Sequence, residues 1–238
     1  AFSSGCYDSN PYILHNFNGT LNDVYTETHE AGHSGHTKFA VKHQPYELYN
    51  YGIFLSEIAS TIHEQLLSRY LYDISDHKLK LVIIARQLEN IRATFFRQTM
   101  FAEFEEFFYN YIDAGETFSP NILEEKYFEL NKKYYGEGLV CDEFLKYEWS
   151  RIPHFYYNFY VFKYATGLAS AFYFSENILS GDRKERENYF KVLKAGNSDY
   201  PVKILQKSGV DVNKPAYLYA LVDKFEKLMD KFENLAKL

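Results

Sequence analysis

Residues 21–60 read LNDVYTETHEAGHSGHTKFAVKHQPYELYNYGIFLSEIAS, and the reading of this stretch decides the fold. A helix is expected to open near Thr20 or Asn22 and to run to about Lys42. Gln44-Pro45 ends it, because proline disfavours a helical residue before it. A second helix is expected from about Glu47 to Asp73. Inside the first lies His29-Glu30-Ala31-Gly32-His33, the pattern HExxH. Residues four apart on a helix share a face, so both imidazoles can reach one ion. Glu30 is turned about 100° around the axis, so its carboxylate misses the ion but reaches water beside it. That is the place of a general base.

Two histidines need a third ligand. A continuation HxxGxxH would supply a histidine, but His36 stands where its glycine would be and Phe39 where its last histidine would be. The turn at Gln44-Pro45 falls about midway between His33 and Glu57, so an antiparallel helix hairpin brings these two positions side by side. Glu57 is therefore the expected third ligand. Glu47 lies too near the turn, and Glu64, two helical turns beyond Glu57, is placed to accept a hydrogen bond from a ligand imidazole instead. Two imidazoles and one carboxylate leave a tetrahedral Zn2+, one per chain, with an open position, the pattern of catalytic sites. His36, His43 and His63 read as solvated or packed rather than as ligands.

Around this hairpin the chain is helical. Residues 1–20 carry Gly5, Pro11 and Gly19 and read as loops around one short strand at Tyr12-Ile13-Leu14. Asp76 caps a long, bent helix whose apolar stripe runs from Leu79 to Tyr111. Ser119-Pro120 opens a helix that stops at Gly136. Further helices are expected at about 156–179, 183–194, 200–208 and 215–236. With no α/β alternation, the fold class is mainly α: a multi-helix, zincin-like catalytic domain over 1–238 with a short N-terminal strand.

Hydrophobic residues make up 46% of the 238, enough for a real core. The formal net charge is −6 and no basic run stands apart from acidic neighbours, which argues against nucleic acid or an anionic membrane as partner. The most apolar stretch, Tyr157 to Phe174, is broken by Asn158, Lys163 and Thr166 and suits a buried helix better than a membrane span. Cys6 and Cys141 lack metal or redox spacing and read as free thiols in a reducing compartment, hence a cytoplasmic location. The opening on Ala1, close before a functional motif, reads as the interior of a longer polypeptide.

The segments Pro11-Tyr12-Ile13-Leu14, Asp23-Val24, His29 to His33 and Ile53-Phe54-Leu55-Ser56-Glu57-Ile58-Ala59-Ser60 together resemble oligoendopeptidase F, of the thimet-oligopeptidase class. A distant block agrees in order: Trp149-Ser150-Arg151-Ile152-Pro153-His154-Phe155-Tyr156-Tyr157-Asn158-Phe159-Tyr160, then Tyr164-Ala165-Thr166-Gly167. The resemblance implies an all-helical fold whose two lobes enclose a channel with zinc at its floor, admitting short peptides, and a missing N-terminal half as partner. It also implies that His154, Tyr157 and Tyr160 hydrogen-bond the substrate backbone and the tetrahedral intermediate. Tyr156, Tyr157, Tyr160 and Tyr164 read equally as packing residues of a buried helix. The chain departs from the family's pattern at Ala31, where Leu is usual, and at Gly35, where Met is common; both changes shrink the packing face expected of the active helix. The expected activity is zinc-dependent hydrolysis of internal peptide bonds, with Glu30 as base. A zinc carboxypeptidase and a non-catalytic peptide-binding fragment are the alternatives. The Tyr12-Ile13-Leu14 strand is expected to offer its edge to a peptide backbone.

Overall fold

The computed structural model describes residues 1–117 and 119–237. Its first elements are the antiparallel strands β1 (Phe2–Ser4) and β2 (Tyr12–Leu14), paired Phe2↔Leu14, Ser3↔Ile13 and Ser4↔Tyr12. β2 lies where the sequence places a strand. β1, a three-residue run with two serines, carries no β-pattern of its own and is read from sequence as loop.

Helix α1 spans Leu21–His43. Thr20 caps it: the Thr20 hydroxyl accepts the Asp23 N–H, and the Asp23 carboxylate accepts the Thr20 N–H at 2.8 Å. This reciprocal box satisfies two backbone donors that a helix start leaves open. Gln44 is extended, as the following Pro45 requires.

Helix α2 spans Ile53–Ile74, so the expected start at Glu47 is corrected by six residues. The reason is distant in sequence. The Leu48 carbonyl accepts the Asn197 N–H at 2.8 Å, and the Gln44 side chain donates to the Lys194 carbonyl at 2.8 Å, so residues 45–52 are held as a loop. Gly196 has φ +50, and a Cβ there would come within 2.1 Å of the Leu48 carbonyl oxygen. Only glycine suits that approach.

Next come α3 (His77–Ile91), a π-helical stretch (Arg92–Phe96) and α4 (Arg97–Asp113). Asp76 accepts the Leu79 N–H at 2.9 Å, as a cap should. The expected long helix is present as these contiguous parts, and its irregularity is a turn with one residue too many. α5 (Pro120–Tyr135) opens on proline and ends at Gly136, φ +66. Two 3-10 segments, Glu143–Arg151 and Pro153–Tyr156, follow. α6 (Phe162–Leu179) begins six residues later than expected, because Asn158 and Phe159 take left-handed φ values of 55° and 51°. α7 (Arg183–Ala195), α8 (Pro201–Lys207) and α9 (Ala216–Ala236) match their expected ranges closely. No helix among the described residues is long and apolar enough to cross a membrane.

The chain divides into two compact units, Ala1–Glu89 with Thr166–Leu238, and Asn90–Ala165. In the first, α1 packs chiefly on α2 and then on α7, with Leu55, Ile58, Ala59 and Ile62 of α2 fully buried. The second is built on Met100, Phe101, Phe104, Leu123, Tyr127, Leu130, Ile152 and Val161. At about 1.5–3 kcal/mol per buried large apolar side chain, such clusters outweigh any single cap or ion pair.

His36 is buried in the α1 hairpin without a hydrogen bond to either ring nitrogen among the described residues, stacked on the Tyr51 ring at 3.6 Å. It is packed, one of the two readings its sequence position allows. Burial, with a smaller contribution from His33, pushes its pKa down to about 3. Between that value and the unfolded value near 6.5, the unfolded chain binds one more proton, so stability present above pH 6.5 is lost as pH falls. Metal-free protein is therefore expected to lose on the order of 4 kcal/mol more than its His36→Phe variant between pH 7 and pH 3. Parallel slopes in thermal melts at stepped pH contradict this.

Candidate metal centre

The hairpin of α1 and α2 brings His29, His33 and Glu57 together, with one ligand atom from each lying within 4.8 Å of the others. The two Nε2 atoms are 3.1 Å apart. Glu57 oxygens lie 3.4 Å from His29 Nε2 and 3.8 Å from His33 Nε2. Ligands about 2.0–2.1 Å from a tetrahedral zinc are separated by about 3.3 Å; the two imidazole nitrogens stand near that spacing, and Glu57 approaches each imidazole with a different carboxylate oxygen.

The close approach that makes this possible depends on Gly32. A Cβ there would lie 2.5 Å from Ser60 Cα, 2.8 Å from His63 Nδ1 and 3.0 Å from the Ala59 carbonyl. The bare glycine face of α1 thus lets α2 pass near enough for Glu57 to reach both histidines. Ala31, by contrast, is exposed, so its small size takes nothing from the packing against α2. Gly35 faces His63 at ordinary contact distance.

Glu64 accepts a hydrogen bond from His29 Nδ1 at 2.7 Å, as its spacing suggested. The carboxylate keeps a proton on Nδ1, so Nε2 is the nitrogen that His29 would offer to a metal. Glu64 in turn lies 3.6 Å from Arg86, whose guanidinium covers the Tyr25 ring and donates to Asn22. His33 Nδ1 is 3.5 Å from the Ser56 hydroxyl.

The electrostatics favour a cation. Burial pushes the His29 pKa down, but hydrogen bonds to Glu57 and Glu64 outweigh it and raise the value to about 9. Burial would raise Glu57, yet the His29 hydrogen bond and both imidazoles hold it below the usual carboxylate range. His33 is lowered by burial, so its imidazole is the neutral donor. Two imidazoles and one carboxylate, with a second carboxylate behind His29 and a positive charge drawn onto that imidazole where an ion would sit, are the donor set of a divalent ion, and the residues fit zinc.

The triad opens on a cavity of about 340 Å³ that Glu30, Tyr51 and Ser56 also line, along with Ala1, Phe2 and Ser3 at β1. Glu30 is 7% exposed. The Ser3 hydroxyl bonds that of Ser34 at 2.9 Å, which fixes β1 on α1. The strand beside the triad is thus β1, while the strand legible in sequence, β2, stands behind it. Tyr51 carries no signal in the sequence, where residues 47–52 read as helix; its hydroxyl lies 2.7 Å from Thr37 and donates to the His33 carbonyl at 3.3 Å.

His154, Tyr157 and Tyr160 belong to the second unit, where they form an aromatic cluster with Tyr164. The His154 ring lies 6.3 Å from Tyr157, 5.7 Å from Tyr160 and 5.7 Å from Tyr164. Its Nε2 is 3.2 Å from the Tyr164 hydroxyl. Tyr156 turns away to donate to the Ser150 carbonyl. The chain's cysteines, Cys6 and Cys141, are free.

The chain is similar to known proteins along nearly its whole length. The family model described as peptidase family M3 matches residues 1–223. Oligopeptidase PepF of Bacillus subtilis strain 168 is 47% identical over 236 residues, covering 99% of this chain and 35% of its own length. Group B oligopeptidase PepB of Streptococcus agalactiae is 45% identical, covering 99% of this chain and 39% of its own. The crystal structure of oligoendopeptidase-F from Enterococcus faecium superposes with a TM-score of 0.83 at 40% identity, covering 91% of this chain and 40% of that one. The chain thus spans well under half the length of these relatives. With the motif, the hairpin and the fold in agreement, the chain belongs to peptidase family M3, alongside the oligoendopeptidase F proteins.

Proposed function

We propose that this chain carries the catalytic site of a zinc endopeptidase acting on short peptides, with His29, His33 and Glu57 as zinc ligands and Glu30 as general base. One observation carries the reading: one ligand atom each from His29, His33 and Glu57 within 4.8 Å of the others, facing a cavity that Glu30 also lines. A zinc ion bound there supplies Lewis-acid polarisation of the scissile carbonyl and makes water acidic enough to be deprotonated near neutral pH.

The chain's own residues do the rest. Glu64 keeps His29 in the tautomer that offers Nε2. Glu30, sheltered from bulk water, takes a proton from the attacking water and delivers it to the leaving amide nitrogen. His154, Tyr157 and Tyr160 supply donors to the substrate backbone and the developing oxyanion. The edge of β1, whose residues line the same cavity, pairs with an extended peptide main chain; such bonds do not read side chains, which gives broad sequence tolerance. We read the chain as the catalytic part of a longer cytoplasmic enzyme, its N-terminal part supplying the other wall of a channel.

Glu64→Leu is expected to weaken zinc binding about 10- to 100-fold, measured by competition with a chromophoric chelator. Unchanged affinity removes Glu64 from the site. The reading as a whole is tested on the full-length enzyme by chelation, zinc restoration and product masses from one defined nonapeptide. Zinc-dependent internal cleavage supports it. Trimming from one end favours the carboxypeptidase reading, and no cleavage favours a peptide-binding fragment.

A further inference from the structure

Glu105 is a buried acid that the mechanism above does not use. It lies on α4 and is 3% exposed, yet among the described residues it has no ion-pair partner. One of its carboxylate oxygens accepts the backbone N–H of Phe159 at 2.6 Å. Burial pushes its pKa up, and the Phe159 hydrogen bond opposes this. Burying a carboxylate without a cation is costly, and an apolar side chain would pack there at less cost. Stability alone does not account for an acid at this position.

The backbone it holds is unusual. Asn158 and Phe159 are successive non-glycine residues with left-handed φ of 55° and 51°. Asparagine tolerates that region; phenylalanine does not readily. Nor does burial compensate, since Phe159 is 50% exposed. Two contacts hold it: its N–H on Glu105, and its ring on Tyr109 at 4.4 Å between centroids. Glu105 and Tyr109 are four apart on α4, so one helix face grips the turn twice. The turn sits between Tyr157 and Tyr160, joining the 3-10 segment that carries His154 to α6. Were residues 157–161 to continue as helix, Tyr157 and Tyr160 would point elsewhere relative to His154.

We propose that Glu105 is a positioning residue of the peptide-binding segment: by accepting the Phe159 N–H it fixes the left-handed turn that sets Tyr157 and Tyr160 beside His154. This rests on the reading of His154, Tyr157 and Tyr160 as substrate contacts. Glu105 touches no substrate; it acts through the turn.

The test uses the full-length, zinc-loaded enzyme and an internally quenched nonapeptide. Glu105→Met, similar in volume but without an acceptor, is expected to lower kcat/KM about 10- to 100-fold, the scale of a small misplacement of contact groups. Zinc content should stay at one per chain and the melting temperature should not fall. Glu105→Gln keeps an acceptor oxygen and should recover activity to within about threefold of wild type. Phe159→Gly adopts the turn without strain, so adding Glu105→Met to that variant should cost much less than it does alone. Hydrogen–deuterium exchange of the peptide spanning residues 155–161 reads the bond without any substitution: slow exchange in wild type is expected.

Wild-type activity in Glu105→Met, equal losses in the Gln and Met variants, a loss that tracks unfolding, or immediate exchange at 155–161 each overturns the proposal. His154→Gln and Tyr160→Phe are measured in parallel. If both are fully active, the substrate-contact reading fails and the proposal fails with it; if they are impaired while Glu105→Met is not, only the proposal fails.

Discussion

Glu30→Gln is expected to lower peptide hydrolysis by about a thousandfold while zinc stays bound, if its carboxylate is the general base. The substitution keeps volume and helix propensity and removes only the proton acceptor. Glu30 is buried on α1 between the two histidines in sequence but off their face, so the triad's spacing is untouched. A retained turnover, measured with zinc content on the same sample, would move the base elsewhere. A loss of zinc along with activity would mean instead that Glu30 helps hold the ion.

Gly32→Ala is expected to have the next largest effect, and two opposed contributions set its sign. Alanine is favoured over glycine inside a helix by about 1 kcal/mol, so on propensity alone the variant gains stability. Against this stands a Cβ placed 2.5 Å from Ser60 Cα and 3.0 Å from the Ala59 carbonyl, both backbone atoms that cannot rotate away. Overpacking of this kind costs about 1–3 kcal/mol, occasionally more, and is relieved only by parting α1 from α2. The clash wins. Because Glu57 rides on α2 three residues before Ser60, the same movement pulls the third ligand from the histidines. Metal sites tolerate only about ±0.2 Å, so zinc affinity is expected to fall by two orders of magnitude or more. Chelator competition and melts with and without zinc check both halves. An Ala variant that binds zinc as wild type would show that the helices have room to spare.

Much of this was legible in the sequence because the information is local. The i, i+4 histidines fix a helix face, and a turn midway between His33 and Glu57 fixes which acid returns beside them. Glu64 follows from the same periodicity. The caps at Thr20, Asp76 and Pro120 are short-range chemistry and fall where the residues put them. The parts that were not legible depend on contacts far along the chain. Residues 47–52 have helical composition, yet Leu48 is bonded to Asn197 and the loop fits against Gly196. β1 exists by pairing with β2 and by Ser3 meeting Ser34. The break before α6 rests on Glu105, which no pattern around residue 158 announces. Gly32 was visible inside the motif, but that its missing side chain is what admits α2 is a fact of packing.

Every step proposed for this site requires that His29, His33 and Glu57 jointly bind one zinc ion. Zinc K-edge X-ray absorption on the full-length protein, repeated on Glu57→Ala, addresses it directly. The account predicts one zinc per chain with two imidazole nitrogens at about 2.0–2.1 Å, and oxygen scattering that weakens in the variant. A spectrum without imidazole scattering, or one that Glu57→Ala leaves unaltered, would contradict it.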